Sequence, residues 1–564
     1  MPCGTSITGH VCHPRASLSV TTVSIILFLM LAVVLSDLLA RLLPVGIPVP
    51  LIQIALGAAI GLSAQRAVTL DPQVFFLLFL PPLLFLDGWR IPPEDLFKDK
   101  ATVIQLALGL VVFTVVGIGF FIHWLIPAMP LPVAFALAAV LSPTDPIAVT
   151  AIAQRVPMPR RMMHVLEGES LLNDASGLVC LRFAVAAMAT GTFSLSGALL
   201  DFVWIASGGI AVGTGLTFSL TWLKNIASRR LGEDSGSQIL ISLLIPFGCY
   251  LLAEALRCSG ILAAVAAGVT MSFVESSGQA AATTRIRRNT FWDVIQFTAK
   301  GIIFVLLGEQ LPSILAAASV TVQHTGHRHP AWLGAYVIAI TFGIFTLRFL
   351  WVTVSLRKNP FRRRDSAPPI DRRDWRYVTV MSMAGLRGAV TLAGVLSLPL
   401  ATAGGVPFPA RDLAIFVAMG VITLSLVAAS IALPLLMKGL SLPVDGASDT
   451  EEADARIAAA QAAIAEIERS QRQRSADRLD ADIVVAAAAR VMNLYRSRIE
   501  SRAGSKDAVA LAKRGEAIER ELRLLGLQAE RKSIFGALRA RRLRSDTARK
   551  LIRELDLLEA RYAG

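Results

Sequence analysis

The stretch GESLLNDASGLV, residues 168–179, places acidic and amide side chains inside an otherwise apolar run. Such groups are costly at membrane depth, so they need a partner, a water-filled cavity or a function. Because residues four apart on a helix are neighbours, Glu169 shares a face with Asn173. Ser170 shares the adjacent face with Asp174. The stretch therefore predicts a helix that carries a functional site within the membrane.

The composition supports a membrane location. The chain has 564 residues, of which 54% are hydrophobic and 17% charged, whereas soluble proteins carry about 25% charged residues. Apolar runs continue to about residue 442, and from residue 443 onward 24 Lys and Arg face 20 Asp and Glu. Most of the net charge of +14 therefore belongs to loops between apolar runs. We predict an all-α polytopic membrane protein with a helical tail and no nucleic-acid partner.

Three regions follow from the apolar runs, since a hydrocarbon core about 30 Å thick needs roughly 20 apolar residues per helix. Residues 1–17 form a short outer N-terminus, residues 18–440 a transmembrane domain, and residues 441–564 a cytoplasmic helical tail. We count about 13 transmembrane helices. They lie near residues 18–42, 47–63, 73–89, 101–126, 132–153, 163–190, 197–222, 237–256, 259–275, 291–312, 331–355, 375–399 and 411–438.

The basic residues orient these helices. The loops predicted on one side of the membrane carry 21 Lys and Arg, whereas the loops on the other side carry 5. Cytoplasmic loops are the ones enriched in Lys and Arg. The N-terminus is therefore predicted to lie outside and the tail in the cytoplasm.

Two of the predicted helices are interrupted. The fifth contains LSPTDPIAV (141–149), in which Pro143 and Pro146 remove helical hydrogen-bond donors. The twelfth contains AGLRGAVTLAG (384–394), in which three glycines surround Arg387. Unwound backbone is tolerated at membrane depth only where it is buried in protein or lines a cavity. An offset of seven helices inverts the orientation, so the pair predicts two inverted six-helix repeats, the arrangement of a secondary transporter.

The polar groups suggest how such a site works. Two neighbouring carboxylates repel unless a fixed cation such as Arg387 holds one of them charged. The other then binds either a cation or a proton, which is the minimum requirement for exchange. Hard cations prefer oxygen ligands. Four residues supply them: Thr144, Asp145, Ser170 and Asp174.

Five segments of the sequence resemble, in their order along the chain, the segments of cation/proton antiporters of the sodium/proton exchanger type, the monovalent cation:proton antiporter 1 class. The resemblance covers about residues 20–440 and is greatest to bacterial exchangers of Na⁺ and, in some, K⁺, Li⁺ or Rb⁺. It implies crossed, broken helices and a homodimer in which a core domain moves against a scaffold domain. The segments are FLPPLLFLDGW (79–89), SPTDPIAV (142–149), GESLLNDASG (168–177), YLLAEALRCSGILAAVAAGV (250–269) and GLRGAV (385–390).

The resemblance also implies roles for single residues. Asp174 is expected to carry the cation or the proton, with Asp145, Ser170 and the Thr144 carbonyl completing the coordination. An Asn-Asp pair is typical of electroneutral members.

A second group of residues is expected to support that site. Glu169 is expected to form an ion pair with Arg387, while Asn173 orders the site. Asp87 and Glu309 are secondary candidates. We interpret Glu309 as interfacial rather than as an additional proton site.

The predicted function is therefore exchange of a monovalent alkali cation for protons across the bacterial inner membrane, serving pH and cation homeostasis, with no enzymatic activity and no cofactor. A cation channel would need a symmetric pore or a repeated carbonyl filter, and the sequence contains neither. An intramembrane hydrolase would need Asp145 and Asp174 to share a proton, which Arg387 and Asn173 disfavour. Proton-coupled uptake of an organic solute is an alternative function that the sequence leaves open. Vesicle assays that compare uptake of cations with uptake of organic solutes distinguish the two.

Four helices are predicted in the tail. Asp449 or Thr450 is expected near the N-terminal cap of the first, and the others are expected over residues 481–500, 507–532 and 537–562.

Overall fold

The computed structural model is all-helical apart from one isolated β-bridge among the residues it describes. The chain forms two compact units, residues 1–441 and 442–564. The described residues are 20–43, 47–63, 72–90, 108–145, 160–190, 195–231, 234–276, 282–324, 331–358, 372–402, 406–437, 446–474, 481–503, 506–540 and 542–563.

The first unit contains the apolar helices. The predicted all-α class is confirmed, and each predicted span contains at least one helix. The number of membrane crossings and the inverted repeat stay predictions. The helices are α1 (Val20–Leu42), α2 (Val49–Ser63), α3 (Pro72–Arg90), α4 (Leu110–Leu125), α5 (Leu131–Leu141), α6 (Arg160–Thr190), α7 (Leu195–Leu231), α8 (Ser235–Ala255), α9 (Gly260–Ser276), α10 (Ala282–His324), α11 (Ala331–Lys358), α12 (Arg372–Met383), α13 (Ala389–Leu396) and α14 (Arg411–Met437).

Six helices in the described part of the chain are long and apolar enough to cross a bilayer, and shorter apolar helices lie between them. Large apolar side chains such as Phe28, Trp204 and Phe342 are well exposed on their outer faces. An apolar exterior of this extent suits a lipid environment. The six segments are Ile25–Leu42, Val203–Arg230, Ser235–Ala255, Thr283–Ala316, Ala331–Ser355 and Arg411–Met437.

Both interrupted segments lose their helical structure. The last helical residue of α5 is Leu141, two residues before Pro143, which has no N–H to continue the helical hydrogen bonding. The rest of the fifth predicted span, from residue 146 onward, lies outside the described residues. In the twelfth span, residues 385–388 are non-helical and separate α12 from α13.

Glycines allow two pairs of helices to pack closely. A Cβ at Gly57 or Gly308 would overlap backbone atoms across the α2–α10 contact. A Cβ at Gly88 of α3 would lie 2.7 Å from the carbonyl oxygen of Val265 in α9.

The N-terminus of α8 is capped by a side chain. Asp234 accepts hydrogen bonds from Ser237 N (2.8 Å) and Gly236 N (3.3 Å). Hydrogen bonds from the side chain and backbone of Ser237 hold the pKa of Asp234 below its usual value.

The second unit contains four helices among its described residues: α15 (Gly446–Arg474), α16 (Ala481–Ala503), α17 (Lys506–Arg539) and α18 (Ser545–Ala563). α15 packs against α16, and α17 packs against α18. The predicted cap is wrong, because α15 begins at Gly446 and therefore has Asp449 and Thr450 within its first turns. Arg531 on α17 pairs with Asp556 (2.6 Å) and with Glu559 on α18.

Candidate functional site

The two interrupted segments meet and bond to each other. The Asp145 amide donates a hydrogen bond to the Leu386 carbonyl at 2.7 Å. Arg387 Nε donates to the Leu141 carbonyl at 2.8 Å, and its Nη1 donates to the Gly385 carbonyl. A guanidinium is favourable there because the C-terminal carbonyls of a helix carry partial negative charge. Arg387 therefore ties the end of α5 to the α12–α13 break.

Glycine is needed at two positions in the α12–α13 break. A Cβ at Gly388 would overlap the carboxylate of Asp145, and a Cβ at Gly385 would overlap the guanidinium of Arg348. The glycines predicted to interrupt the helix thus also allow two charged side chains to approach the backbone closely.

The polar face of α6 lies against Thr144. Ser170 Oγ donates to the Thr144 carbonyl at 2.7 Å, and Asn173 Nδ2 donates to Thr144 Oγ1 at 2.8 Å. Thr144 Oγ1 in turn donates to Glu169 Oε1 at 3.4 Å. A Cβ at Gly177 would lie 2.5 Å from Pro143 Cγ, so α6 approaches α5 closely just beyond this network. The structure therefore brings together these predicted site residues from α6 and from the non-helical segment after α5.

Glu169 forms its ion pair with Arg348 on α11, so the predicted pairing with Arg387 is wrong. Arg348 Nη1 lies 2.5 Å from Glu169 Oε1, and Nη2 lies 2.9 Å from Oε2. Both side chains are almost completely buried, with exposures of 2% and 1%. A guanidinium presents two parallel donors that match the two carboxylate oxygens. Arg387 cannot take this place while its donors serve backbone carbonyls at the crossing point.

Arg348 is a site residue that was not predicted from the sequence. From a helix end, an arginine side chain can extend to the membrane surface. Arg348 lies ten residues before the end of α11, inside a long apolar run. That depth is the signal for a buried partner, because a charge so far from the helix end needs compensation within the protein.

Asp174 is buried beside this network, with 4% exposure. It lies within electrostatic range of Asp145, of Asp87 on α3 and of Lys300 on α10. Asp87 also interacts with Lys300 and Asp145. Asp87 and Lys300 therefore belong to the same charged cluster as Asp174. Among the described residues, however, no three acidic, histidine or cysteine side chains are close enough to share a metal ion.

Two buried oxygens at the site are available to a ligand. Asn173 Oδ1 and Ser142 Oγ have no hydrogen-bond partner among the described residues. A hard cation prefers carbonyl, hydroxyl and carboxylate oxygens, and Asp174, Thr144 and Ser170 add these types nearby. The donor set fits a monovalent cation bound by one or two carboxylates and neutral oxygens.

Glu309 lies away from this cluster. It is 2% exposed, and its backbone packs against Gly61 of α2 so closely that a Cβ there would overlap it. The α2–α10 contact therefore covers Glu309 within the protein, and its interfacial position in the membrane stays a prediction.

A family model described as "Sodium/hydrogen exchanger, transmembrane" matches residues 25–439. The chain belongs to the sodium/hydrogen exchanger family. A protein of Escherichia coli (strain K12) named as an uncharacterised Na⁺/H⁺ exchanger is 39% identical to this exchanger-family chain over 547 residues. Those residues cover 95% of the chain and 98% of the relative.

A second relative has a more specific name. A sodium, potassium, lithium and rubidium/H⁺ antiporter of Bacillus pumilus (strain SAFR-032) is 37% identical to this exchanger-family chain over 544 residues, 96% of the chain and 78% of the relative. The structure of the sodium proton antiporter MjNhaP1 from Methanocaldococcus jannaschii at pH 8 matches with a TM-score of 0.57 at 21% identity. That match covers 74% of this chain and 100% of that structure, and supports the fold alone.

Proposed function

We propose that this exchanger-family protein exchanges a monovalent alkali cation for protons across the bacterial inner membrane, with Asp174 carrying either ion. The observation that carries the proposal is the burial of Asp174 on α6, about one turn from Ser170, whose hydroxyl bonds to Thr144 beside the crossing of two interrupted helical segments. A buried carboxylate is costly unless an ion pair, a proton or a bound cation offsets its charge, and for Asp174 the proposed occupant is a proton or a cation. The two occupants exclude each other, which couples their movements.

Glu169 is supported as a structural group in this proposal. Its bidentate pair with Arg348 neutralises its charge. Asp145, Ser170 and the Thr144 carbonyl are the proposed additional cation ligands. Asn173 orders them through its hydrogen bond to Thr144.

The transport cycle is proposed to be electroneutral and to proceed by alternating access, with the N-terminus outside, the tail in the cytoplasm and two copies forming a homodimer. One carboxylate that exchanges one proton for one monovalent cation moves no net charge. Na⁺ is the proposed substrate, together with K⁺, Li⁺ and Rb⁺, the cations in the name of the Bacillus pumilus relative. Such exchange would serve pH and cation homeostasis.

The test uses everted membrane vesicles in which respiration has acidified the interior. Adding Na⁺ or K⁺ should release the accumulated protons from vesicles with the native protein but not from those with Asp174→Asn. Asp37→Asn is the matched control, because Asp37 is an acid on α1 that pairs with Arg41 at 2.9 Å. Retained exchange in Asp174→Asn, at equal membrane content, would contradict the assigned role.

Electroneutrality has a separate test. In proteoliposomes, the rate of Na⁺-driven proton movement should not change when the membrane voltage is clamped at different values. A rate that follows the voltage would show net charge movement and contradict the proposed one-for-one exchange.

A further inference from the structure

The N-terminal half of α17 carries a row of apolar side chains that the described residues of its own unit leave exposed. Leu511, Ile518, Leu522 and Leu525 are 51–74% exposed. Farther along the same helix, Leu527 is buried and Arg531 pairs with α18. The hairpin partner thus covers the C-terminal half of α17, whereas the row over residues 511–525 lies in solvent.

The spacing of this row is that of a coiled-coil seam. Leu511, Ile518 and Leu525 are seven residues apart, and Leu522 follows Ile518 by four. This assigns the first three to heptad position d and Leu522 to position a. Gly515 takes the preceding a position. A stripe limited to a and d is the narrow contact typical of two paired helices, whereas packing on a globular core uses a broader face.

The charged residues beside the row favour the same helix in a second copy. In this register Arg514 occupies position g, and Glu519 occupies position e of the following heptad. These two positions lie side by side in a parallel pair, so Arg514 would face Glu519 of the partner subunit, and the contact would occur twice by symmetry. Glu519 also pairs with Arg523 on its own helix, which leaves its other oxygen available.

The charges of the segment do not single out a lipid surface. Residues 511–525 carry four basic and three acidic side chains, and Glu519 and Glu521 border the row. Anionic headgroups attract segments with a surplus of basic residues. The nearly balanced segment therefore fits a protein helix with complementary charges better than a membrane.

We propose that residues 511–525 pair in parallel with the same segment of a second copy, forming a short coiled coil in the tail. The contact goes beyond the homodimer proposed above, which does not require it. A helix pair of this length is marginal by itself. Attachment to subunits that already associate raises the local concentration of the two segments.

Single cysteines at adjacent positions test the seam. Ile518→Cys lies in it, whereas Ala517→Cys, one residue earlier and also exposed, takes position c on the flank. Both are placed in the full chain after its five native cysteines are replaced by alanine. Mild oxidation in membranes should give at least about tenfold more disulfide-linked dimer for Ile518→Cys, because d positions face each other across the helix pair. If the cysteine-free protein does not insert, the same two variants are compared with the native cysteines present.

Reversing the charges tests the parallel register. Arg514→Glu should lower the Ile518→Cys dimer yield several-fold, because it places carboxylates opposite each other. Adding Glu519→Arg should restore the yield. Equal yields at positions 517 and 518, no dimer from Ile518→Cys, or cross-linking to another protein would each overturn the proposal. If the protein migrates as a dimer in detergent but Ile518→Cys gives no cross-link, the tail contact is overturned. The proposed homodimer is then unaffected.

Discussion

The Arg348 guanidinium contacts both carboxylate oxygens of Glu169, and neither side chain is accessible to solvent. The pair joins α11 to α6 next to the α12–α13 break, where Gly385 leaves room for the guanidinium. Taking two charges out of water is expensive, and their attraction offsets this cost only while both are present. Because Arg348 neutralises the charge of Glu169, the pair supports the proposal that Asp174 is the carboxylate that exchanges a proton for a cation.

Loss of one partner should therefore destabilise the protein strongly. We expect Arg348→Ala to lower the free energy of unfolding by about 3–5 kcal/mol, because the Glu169 charge is left buried and uncompensated. Adding Glu169→Gln should restore part of the loss. The measurement is the midpoint of thermal unfolding in detergent for both single variants and the double variant.

Arg387 provides the control for this pairing. Arg387→Ala should also destabilise the protein, because the carbonyls of Leu141 and Gly385 lose their donor. Adding Glu169→Gln should not restore that loss. If Glu169→Gln rescued Arg387→Ala but not Arg348→Ala, the ion-pair partner of Glu169 would be Arg387 rather than Arg348.

The close approach of Asp145 to the α12–α13 break should make Gly388 intolerant of a side chain. Gly388→Ala places a Cβ on the Asp145 carboxylate, and such overpacking typically costs about 1–3 kcal/mol. We expect Na⁺-driven proton movement to fall by about tenfold or more, equivalent to 1.4 kcal/mol on the rate. Gly215→Ala on α7 is the control, since among the described residues no atom beyond the local helix backbone lies within 4 Å of a Cβ there. Similar transport by the two variants at equal membrane content would contradict the crowding at Asp145.

The hydroxyl of Ser170 should affect cation binding more than the maximal rate. Ser170→Ala removes a proposed cation ligand together with the 2.7 Å hydrogen bond that orients the Thr144 carbonyl. A single hydrogen bond contributes about 0.5–1.5 kcal/mol, so the half-saturating Na⁺ concentration should rise about two- to tenfold. Ser219→Ala is the control, since Ser219 makes a similar 2.7 Å bond to the Gly215 carbonyl on α7. An unchanged Na⁺ dependence for Ser170→Ala would remove Ser170 from the ligand set.

The local features of the site were predictable because their causes are local. Pro143 acts locally by removing a helical hydrogen-bond donor, and the interruption of the twelfth span follows from the glycines around Arg387. The two adjacent faces on α6 follow from helical periodicity, and Ser170 and Asn173 reach Thr144 from them. The helical interruptions and the polar residues beside them could therefore be found without coordinates.

The partner of Glu169 could not be predicted in this way. Arg387 and Arg348 both lie in apolar segments, and the choice between them depends on how distant helices cross. Glu169 and Arg348 are separated by 179 residues, and no periodic pattern encodes their approach. Burial of Glu309 depends in the same way on the glycine contacts between α2 and α10, which single segments do not reveal.

A second ion pair, in which a buried arginine meets a half-buried glutamate at one end of α3, gives a prediction about stability alone. Arg288 is 1% exposed, pairs with Glu275 and lies 5.0 Å from the centre of the Trp89 ring. Trp89 Nε1 donates to Glu275 Oε2 at 2.8 Å. Glu275→Gln leaves the guanidinium buried without a counter-charge, so we expect a loss of about 3–5 kcal/mol, seen as a lower unfolding midpoint. Adding Arg288→Met should recover much of it, since an apolar side chain of similar length needs no partner.

The exposed pair at the same end of α3 supplies the comparison. Arg90 pairs with Asp293, and the side chains are 45% and 63% exposed. Exposed ion pairs contribute only about 0–1 kcal/mol, so Asp293→Asn should leave the unfolding midpoint nearly unchanged. If Asp293→Asn lowered the midpoint as much as Glu275→Gln does, burial would not be what makes the Glu275–Arg288 pair matter.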